Sequence, residues 1–422
     1  MKKKLFYSCL LLFYAGSVCA QTVDIPDVNF KNALLANESV NTNGDDEIQV
    51  SEAEAITLLD ISGKEINSLE GINSFVNLVV LSCSWNNLSE LDLSALSQLN
   101  QLEAIDNEIN SISFPATNQI ETLQLEKNVI TNLDAIEFFS LDSLKSLNLS
   151  FNPIGPNLIV EHDTLISLYL DSSLIEEIDI DAAPQLLNLS ISFNPLVLDN
   201  ALASDQLKAL LVSGCELESL DVTELPALEV LIANWNNLSG LNLEINTELT
   251  MLQLAENLFT SLDVSHLPLL TDLAIPDNQL TELFIKNGAI STSPELLFFN
   301  GNPELSFVCA DPGEMDLVNS LLAAYGYTDT TATTDCALDI AEIGRNDQLI
   351  IYPIPASHEL ILESAFNEII KIQLYDLSGK LLVEQVGEGF QANVTLDGLA
   401  PAIYLLRLET AEGISSHRII KE

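Results

Sequence analysis

Positively charged side chains are scarce in this sequence. Its 422 residues include 15 Lys and Arg against 62 Asp and Glu, a formal net charge of −47 at pH 7. Such a chain repels the phosphate backbone of nucleic acids, which argues against nucleic-acid binding. Glycine and proline are also few, at 17 and 15, whereas 47% of the residues are hydrophobic. Disorder and low complexity are therefore excluded, and we expect a large folded core.

Residues that commonly carry catalysis are equally scarce. The sequence contains four histidines, which are scattered outside any metal-binding motif. It contains no HExxH, GxSxG or phosphate-binding loop motif. Abundant carboxylates are no evidence of acid–base chemistry in so acidic a chain. The sequence therefore predicts a protein without enzymatic activity.

Residues 1–20 have the pattern of a secretory signal peptide. Three lysines precede an apolar run from Leu5 to Val18, and small residues lead up to a cleavage site after Ala20. The run is shorter than the roughly 20 apolar residues that a membrane-spanning helix needs. No later stretch is apolar enough to span a bilayer, so we expect an exported mature chain without a transmembrane segment.

The motif LxxLxLxxNxL recurs through the middle of the chain. Eight of the eleven steps between its asparagine positions are 21 residues, one is 22 and two are 24. We call this position the slot. It is occupied by Lys64, Asn86, Asn107, Asn128, Asn152, Ser173, Asn194, Cys215, Asn236, Asn257, Asn278 and Asn302.

This repeat resembles that of the leucine-rich-repeat family, in particular internalin-like proteins with 21-residue repeats. Alternation in LxL predicts one short strand per repeat with leucines pointing inward, and stacked repeats then form a parallel sheet over one continuous core. We expect the slot asparagine to satisfy buried backbone groups. The predicted fold class is an α/β solenoid of about 12 repeats over residues 56–305, curved with its parallel sheet on the concave face. A second short extended segment, often LD[LVI][ST], should lie on the opposite side.

Four cysteines remain after the signal peptide. Cys309 and Cys336 bracket a short segment, and we predict that they form a disulfide. Cys83 and Cys215 lie six repeats apart, roughly 29 Å at the strand spacing of a sheet, so they should be buried free thiols. Residues 306–338 are predicted to form a C-terminal cap, with a helix over residues 315–325.

Residues 21–55 are predicted to form a helical N-terminal cap that resembles an EF-hand. Residues with oxygen-bearing side chains follow the spacing of a calcium loop. These five candidate ligands are Asn41, Asn43, Asp45, Glu47 and Glu52. Asn41 and Asp46 depart from the motif, in which aspartate and glycine are usual. Two alternatives remain: bound calcium, or a cap that keeps the EF-hand shape without a cofactor.

The tail resembles the C-terminal sorting domain of the Bacteroidota type IX secretion system. After a linker over residues 339–347, seven short alternating segments over residues 348–422 predict a small β-sandwich. The motif residues are Tyr352, Pro353, Pro355, Gly379, Tyr404 and Lys421. The resemblance implies recognition by the type IX machinery and location outside, or on the outer surface of, a Gram-negative cell. It also implies removal of the tail, followed by release or surface attachment.

Recognition is expected on the outward face of the repeat strands. Both tryptophans and two phenylalanines directly precede slot residues, and other apolar residues occupy outward strand positions. Exposed aromatic residues are good binding anchors, although packing over the strand ends is an equally weighted alternative. The candidate partner-binding residues are Trp85, Phe151, Tyr169, Phe193, Ile232 and Trp235. We predict a cell-surface or extracellular protein that binds another protein; a carbohydrate-binding accessory and a structural adhesion or matrix protein are the alternatives.

Overall fold

The computed structural model describes residues 21–197, 202–289, 293–336, 349–352, 356, 358–364, 369–376, 380–400, 402–410 and 413–421. The predicted signal peptide and linker lie outside the described residues. The chain divides after Cys336 into two compact units, each with its own hydrophobic core. We describe each unit by itself.

The first unit is a solenoid built on one parallel twelve-stranded sheet. Successive strands pair in register, so that Leu81 lies beside Leu102, and Leu102 beside Leu123, with all three side chains fully buried. This confirms the predicted stacking of repeats around a single core. We number coils 1–12 by their strands, which are Leu58–Asp60, Val80–Ser82, Gln101–Glu103, Thr122–Gln124, Ser146–Asn148, Ser167–Tyr169, Asn188–Ser190, Ala209–Leu211, Val230–Ile232, Met251–Gln253, Asp272–Ala274 and Leu297–Phe298.

The opposite side of the solenoid carries shorter parallel sheets. Their strands are Glu90–Asp92 with Ser111–Ser113, Asn157–Ile159 with Glu177–Asp179, and the set Ser261–Asp263, Glu282–Phe284, Phe307–Cys309 and Thr331–Thr333. Three 3₁₀ helices, Ile72–Ser74, Leu133–Ile136 and Phe138–Ser140, replace such strands in other coils. The aspartates of the LD segments close turns, because Asp92 and Asp263 each accept the backbone N–H two residues ahead. The segment around Asp221 forms the same turn without a strand.

Caps cover both ends of the repeat core. At the N-terminal end, helix α1 (Val28–Leu35) buries Phe30 and Leu34, whereas α2 (Val50–Ala53) is a single turn, shorter than an EF-hand helix. At the C-terminal end, α3 (Met315–Tyr325) has the predicted bounds. A disulfide joins Cys309 to Cys336 with their Cα atoms 5.3 Å apart.

The second unit is a sandwich of two antiparallel sheets. One contains Leu349–Tyr352, Glu359–Ser364 and Gln391–Thr395, and the other contains Ile369–Tyr375, Leu381–Gly389, Ala402–Thr410 and Gly413–Lys421. All seven predicted strands are present. Fully buried residues of both sheets, among them Leu362 and Leu406, form its core. Within the described part of the chain, no helix of either unit has the length and hydrophobicity needed to span a membrane.

Candidate functional site: the outward face of the repeat sheet

The slot asparagines hold neighbouring coils together. The Asn86 side-chain Nδ2 donates to the backbone oxygens of Ile61 (3.0 Å) and Cys83 (2.9 Å), while its Oδ1 accepts from the N–H groups of Lys64 and Ile66 (both 3.0 Å). Asn152, Asn194, Asn236 and Asn302 make corresponding bonds to the preceding coil. These buried amides satisfy backbone groups inside the core, as the sequence predicted.

The residue before each slot adopts a left-handed backbone conformation. Trp85 has φ 57°, Phe151 59°, Phe193 58° and Trp235 55°, and Gly214 has 65° in the same position. The aromatic residues therefore lie just beyond the ends of the three-residue strands, in the turn that leads into the slot. The sharp turn that carries the slot asparagine inward places the preceding side chain outward. All four aromatic side chains are about half exposed.

Three coils have a second left-handed residue after the slot. These are the coils in which Lys64, Ser173 and Cys215 replace asparagine, and the left-handed residues are Glu65, Leu174 and Glu216. In these coils the slot N–H also donates to the asparagine of the next coil, as from Cys215 to Asn236 Oδ1 at 3.1 Å. The Ser173 hydroxyl donates to the Leu149 oxygen at 3.2 Å and the Cys215 thiol to the Ile191 oxygen at 3.5 Å, so these side chains replace one of the amide's bonds to the preceding coil.

Phe193 and Trp235 form an aromatic pair across coils 7 to 9. Their ring centroids are 6.2 Å apart with 30° between the planes. Between them lies Gly214 of coil 8, where an added Cβ would stand 2.6 Å from Phe193 Cδ1. The pair therefore depends on the missing side chain at position 214. In three successive coils the residue before the slot is Phe193, Gly214 and Trp235, and this aromatic–glycine–aromatic sequence is the signal that could have identified the pair.

Apolar strand residues continue the aromatic pair onto the sheet. Leu211 of coil 8 lies beside Ile232 of coil 9, and Val230 lies beside Met251 of coil 10. All four are half-buried and point away from the core. We call these four residues and the aromatic pair the apolar patch. The outward strand residues of coils 3–5 are all polar: Gln101, Glu103, Thr122, Gln124, Ser146 and Asn148.

Carboxylates border the patch on its C-terminal side. Glu256 of coil 10 accepts the indole N–H of Trp235 at 2.8 Å. Asp272, beside Met251 in register, has a half-buried carboxyl whose pKa is raised by desolvation. Asp277 follows Glu256 in the row that precedes the slots. Negative charge therefore borders the patch beside Trp235, where Glu256 lies, and beside Met251, where Asp272 lies.

The structure assembles only some of the predicted partner-binding residues. Phe193, Ile232 and Trp235 lie together in the apolar patch. Phe151 is two coils before Phe193, and half-buried Tyr169 is separated from Leu211 by Ser190. Trp85 belongs to coil 2, seven coils or roughly 34 Å from Trp235 at the strand spacing. Trp85 is therefore not part of the same surface.

The EF-hand-like loop is closed by its own hydrogen bonds. Glu52 Oε1 accepts from the Thr42 N–H and hydroxyl (both 2.8 Å) and the Asn43 N–H (3.2 Å), and Oε2 accepts from the Gln49 N–H (3.0 Å). Burial by itself would raise the pKa of Glu52, but these bonds outweigh it and lower that pKa.

The other candidate calcium ligands have partners of their own. Asn41 Oδ1 accepts from the Gly44 N–H, Asn43 Oδ1 from the Asp45 N–H, and Asp45 Oδ1 from the Glu47 N–H. Glu47 pairs with Lys31 at 2.8 Å. Within the described residues there is no cluster of three His, Cys, Asp or Glu side chains arranged to hold a metal ion.

Cys83 and Cys215 are buried free thiols. Burial, with a smaller contribution from the charge of Glu103, raises the pKa of Cys83 to about 12. Burial also raises the pKa of Cys215, although backbone hydrogen bonds partly oppose it. Both thiols remain protonated at neutral pH, which is typical of structural rather than nucleophilic cysteines.

The sorting-motif residues are partly described. Tyr352 is exposed, and its hydroxyl donates to Glu363 at 2.8 Å. Tyr404 is buried, and its hydroxyl donates to the Ala400 backbone oxygen. Lys421 ends the last strand opposite Ala402. Pro353, Pro355 and Gly379 lie outside the described residues.

This repeat geometry defines the first unit as a leucine-rich-repeat solenoid. Residues 350–422 match the family of the secretion system C-terminal sorting domain, so the second unit is a type IX secretion sorting domain. No curated protein sequence matches the chain.

Solved structures of similar proteins include an internalin, InlF, from Listeria monocytogenes (17% identity, 75% of this chain and 92% of that chain, TM-score 0.44). Others are a leucine-rich-repeat protein of Leptospira interrogans (16%, 67% and 97%, 0.41) and YopM from Yersinia enterocolitica (22%, 61% and 60%, 0.43).

Proposed function

We propose that this is an exported, non-enzymatic recognition protein that binds another protein through the apolar patch. The observation that carries the proposal is the contrast within one sheet. Coils 8–10 present Leu211, Val230, Ile232 and Met251 outward, whereas coils 3–5 present only polar side chains. Apolar surface gathered at one place on a polar face is typical of protein-binding sites, and half-exposed aromatic side chains are common anchors in them.

The apolar patch lies on a rigid backbone, which favours binding. Each coil of the patch is bonded to both neighbours through the sheet, and the slot asparagines Asn236 and Asn257 also bond coils 9 and 10 to the coil before them. Little conformational entropy is therefore lost when a partner docks. The acidic border favours a partner with basic residues around an apolar centre.

Capture experiments with the mature chain, residues 21–422, test the patch. The immobilised protein is incubated with cell-surface and extracellular proteins from its native environment, and retained proteins are identified by mass spectrometry. We expect the Ile232→Ser and Met251→Ser double variant to lose the retained protein. Gln124→Ser, an outward change on the polar part of the same sheet, should keep it. Equal capture by both variants, with unchanged melting temperatures, would overturn the proposal.

A carbohydrate-binding role is the second candidate, because sugar rings stack on exposed aromatic side chains such as the Phe193–Trp235 pair. Salt separates the two candidates. Binding of a basic protein should weaken from 50 mM to 500 mM NaCl, whereas binding of a neutral glycan should change little.

The sorting domain supports transport across the outer membrane and attachment to the cell surface. Deletion of residues 348–422 should leave the repeat unit inside the cell envelope. Surface labelling of intact cells measures this directly. Normal surface exposure of the truncated chain would contradict the proposed route.

A further inference from the structure

The aromatic pair is accessible to solvent on the outward face of the repeat sheet. Phe193 lies over Gly214 and meets Trp235 at a centroid distance of 6.2 Å with only 30° between the rings. Phe193 is 55% exposed and Trp235 is 49% exposed. Ring faces that remain accessible in this way can accept a flat or cationic group from a partner.

A carboxylate stands at the edge of this ring surface. Glu256 is exposed, and its Oε1 accepts a hydrogen bond from the Trp235 indole N–H at 2.8 Å. The bond leaves further acceptor sites on the carboxylate, since an ionised carboxyl has about four lone-pair positions. It also fixes the carboxylate relative to the indole ring, so that charge and ring surface occur together.

The surroundings favour a cation over a neutral ligand. Asp272 and Asp277 lie one coil further along, and the described outward positions of coils 8–11 in the strands and the pre-slot row contain no Lys or Arg. Nearby Lys208 is engaged with Glu229 at 2.6 Å. Several carboxylates therefore attract a cation that binds at Glu256, and no Lys or Arg at these outward positions competes with it for Glu256.

We propose that the aromatic pair and Glu256 hold an arginine side chain of the protein partner. The inference rests on the proposed function and names the chemistry of the anchor. A guanidinium is planar and weakly hydrated, so it stacks on Trp235 while its N–H groups donate to Glu256. The aliphatic part of the same side chain packs on Ile232. Lysine fits less well because its ammonium is compact and strongly hydrated.

Defined peptides test the anchor on the intact mature chain. The probes are fluorescently labelled Leu-Arg-Leu-Arg, with capped termini, and the same peptide with both arginines replaced by uncharged citrulline. Fluorescence anisotropy measures binding. We expect saturable binding of the arginine peptide and a loss of about tenfold with citrulline, because each citrulline removes a charged hydrogen-bond donor. Equal affinities for the two peptides would overturn the inference.

A matched pair of variants locates the binding. Glu256→Gln removes one charge but keeps an acceptor for the Trp235 indole, and Asp106→Asn removes one charge at the equivalent position of coil 3. Glu256→Gln should weaken the arginine peptide about tenfold, whereas Asp106→Asn should have little effect beyond long-range charge. Equal effects would place the binding outside the aromatic pair and would contradict the inference.

Failure of the anchor can be told apart from failure of the proposed function. If the Ile232→Ser and Met251→Ser variant loses its captured protein while the arginine peptide does not bind, the patch binds proteins but the arginine anchor is wrong. If capture is unaffected by that variant, the proposed function is wrong, and with it the inference.

Discussion

Asp27 connects the N-terminal cap to the first coil. Its Oδ1 caps helix α1 by accepting from the N–H groups of Asn29 and Phe30, and its Oδ2 accepts from the N–H groups of Asn67 and Ser68, 40 and 41 residues further along the chain. One carboxylate thus fixes both the start of the helix and its position on the repeat core.

Removal of this carboxylate should destabilise the cap. We expect Asp27→Ala to lower the free energy of unfolding by about 1–2 kcal/mol, because an N-cap and further backbone hydrogen bonds are lost. Urea unfolding followed by circular dichroism measures the change. Asp24→Ala, an exposed aspartate near the same helix, is the control and should cost little. Equal losses in the two variants would contradict the role of Asp27.

The same carboxylate should make stability depend on pH. Burial acts to raise the pKa of Asp27, but hydrogen bonds from Phe30, Asn67 and Ser68 outweigh it and lower that pKa. A lowered folded pKa means that its contribution to stability is complete above the unfolded value, about 3.9, and is lost as pH falls through the folded value. Asp27→Ala should therefore lose less stability than the parent chain on going from pH 6 to pH 3. Parallel curves would contradict this.

The slot asparagines should be costly to replace. Asn152 is 1% exposed and bonds to Leu125 O, Leu149 O and the Ile130 N–H. We expect Asn152→Ala to cost about 2–4 kcal/mol, since several buried backbone groups lose their partner. Chemical unfolding measures this, with Asn87→Ala on the exposed position after a slot as control. A cost below that of the control would contradict the role of the asparagine ladder.

Replacing an exposed left-handed residue by glycine should stabilise the protein. Glu216 is exposed with φ 58°. Glu216→Gly should raise the melting temperature slightly, because the left-handed conformation costs an L-residue about 1–2 kcal/mol and glycine's own entropy cost is about 0.5–1 kcal/mol. Glu218→Gly, two residues away without a positive φ, should lower it. If both variants are destabilised alike, backbone strain at position 216 is not significant.

Calcium should not stabilise the N-terminal cap. Three hydrogen bonds converge on Glu52 Oε1, so this oxygen must lose partners before the carboxylate can become a bidentate calcium ligand. We therefore expect the same melting temperature in EDTA and in millimolar calcium. Glu52→Gln, which replaces one accepting oxygen by a donor, should lower the melting temperature in both solutions. A rise with calcium that Glu52→Gln abolishes would show instead that the loop binds the ion.

The repeat fold was predictable because its signal is redundant. A substitution at one slot, such as Cys215, leaves the period of the other coils intact. The alternating leucines specify which face of each strand is buried, without any knowledge of the turns. The C-terminal cap helix was equally predictable, since Leu317, Val318, Leu321 and Leu322 recur at helical spacing.

The candidate site was less predictable because it depends on local backbone geometry. Nothing in the period-two pattern indicates that Phe193 and Trp235 leave the strand in a left-handed conformation, or that Phe193 turns sideways over Gly214. Trp85 has the same sequence environment as Trp235 and lies far from the apolar patch. Neighbouring coils, and not the motif itself, decide which aromatic residues come together.

Each slot asparagine bonds within its own coil and to the coil immediately before it. We therefore expect a duplicated coil that carries a slot asparagine to form the same hydrogen bonds with its neighbour, so that copying such coils would lengthen the solenoid. The Phe193–Gly214–Trp235 arrangement has no such freedom, because one coil inserted between its members would separate the rings by a further strand spacing of about 4.8 Å. We therefore expect a repeat added between the caps to disturb this surface when it falls within coils 7–9 and to leave it intact elsewhere.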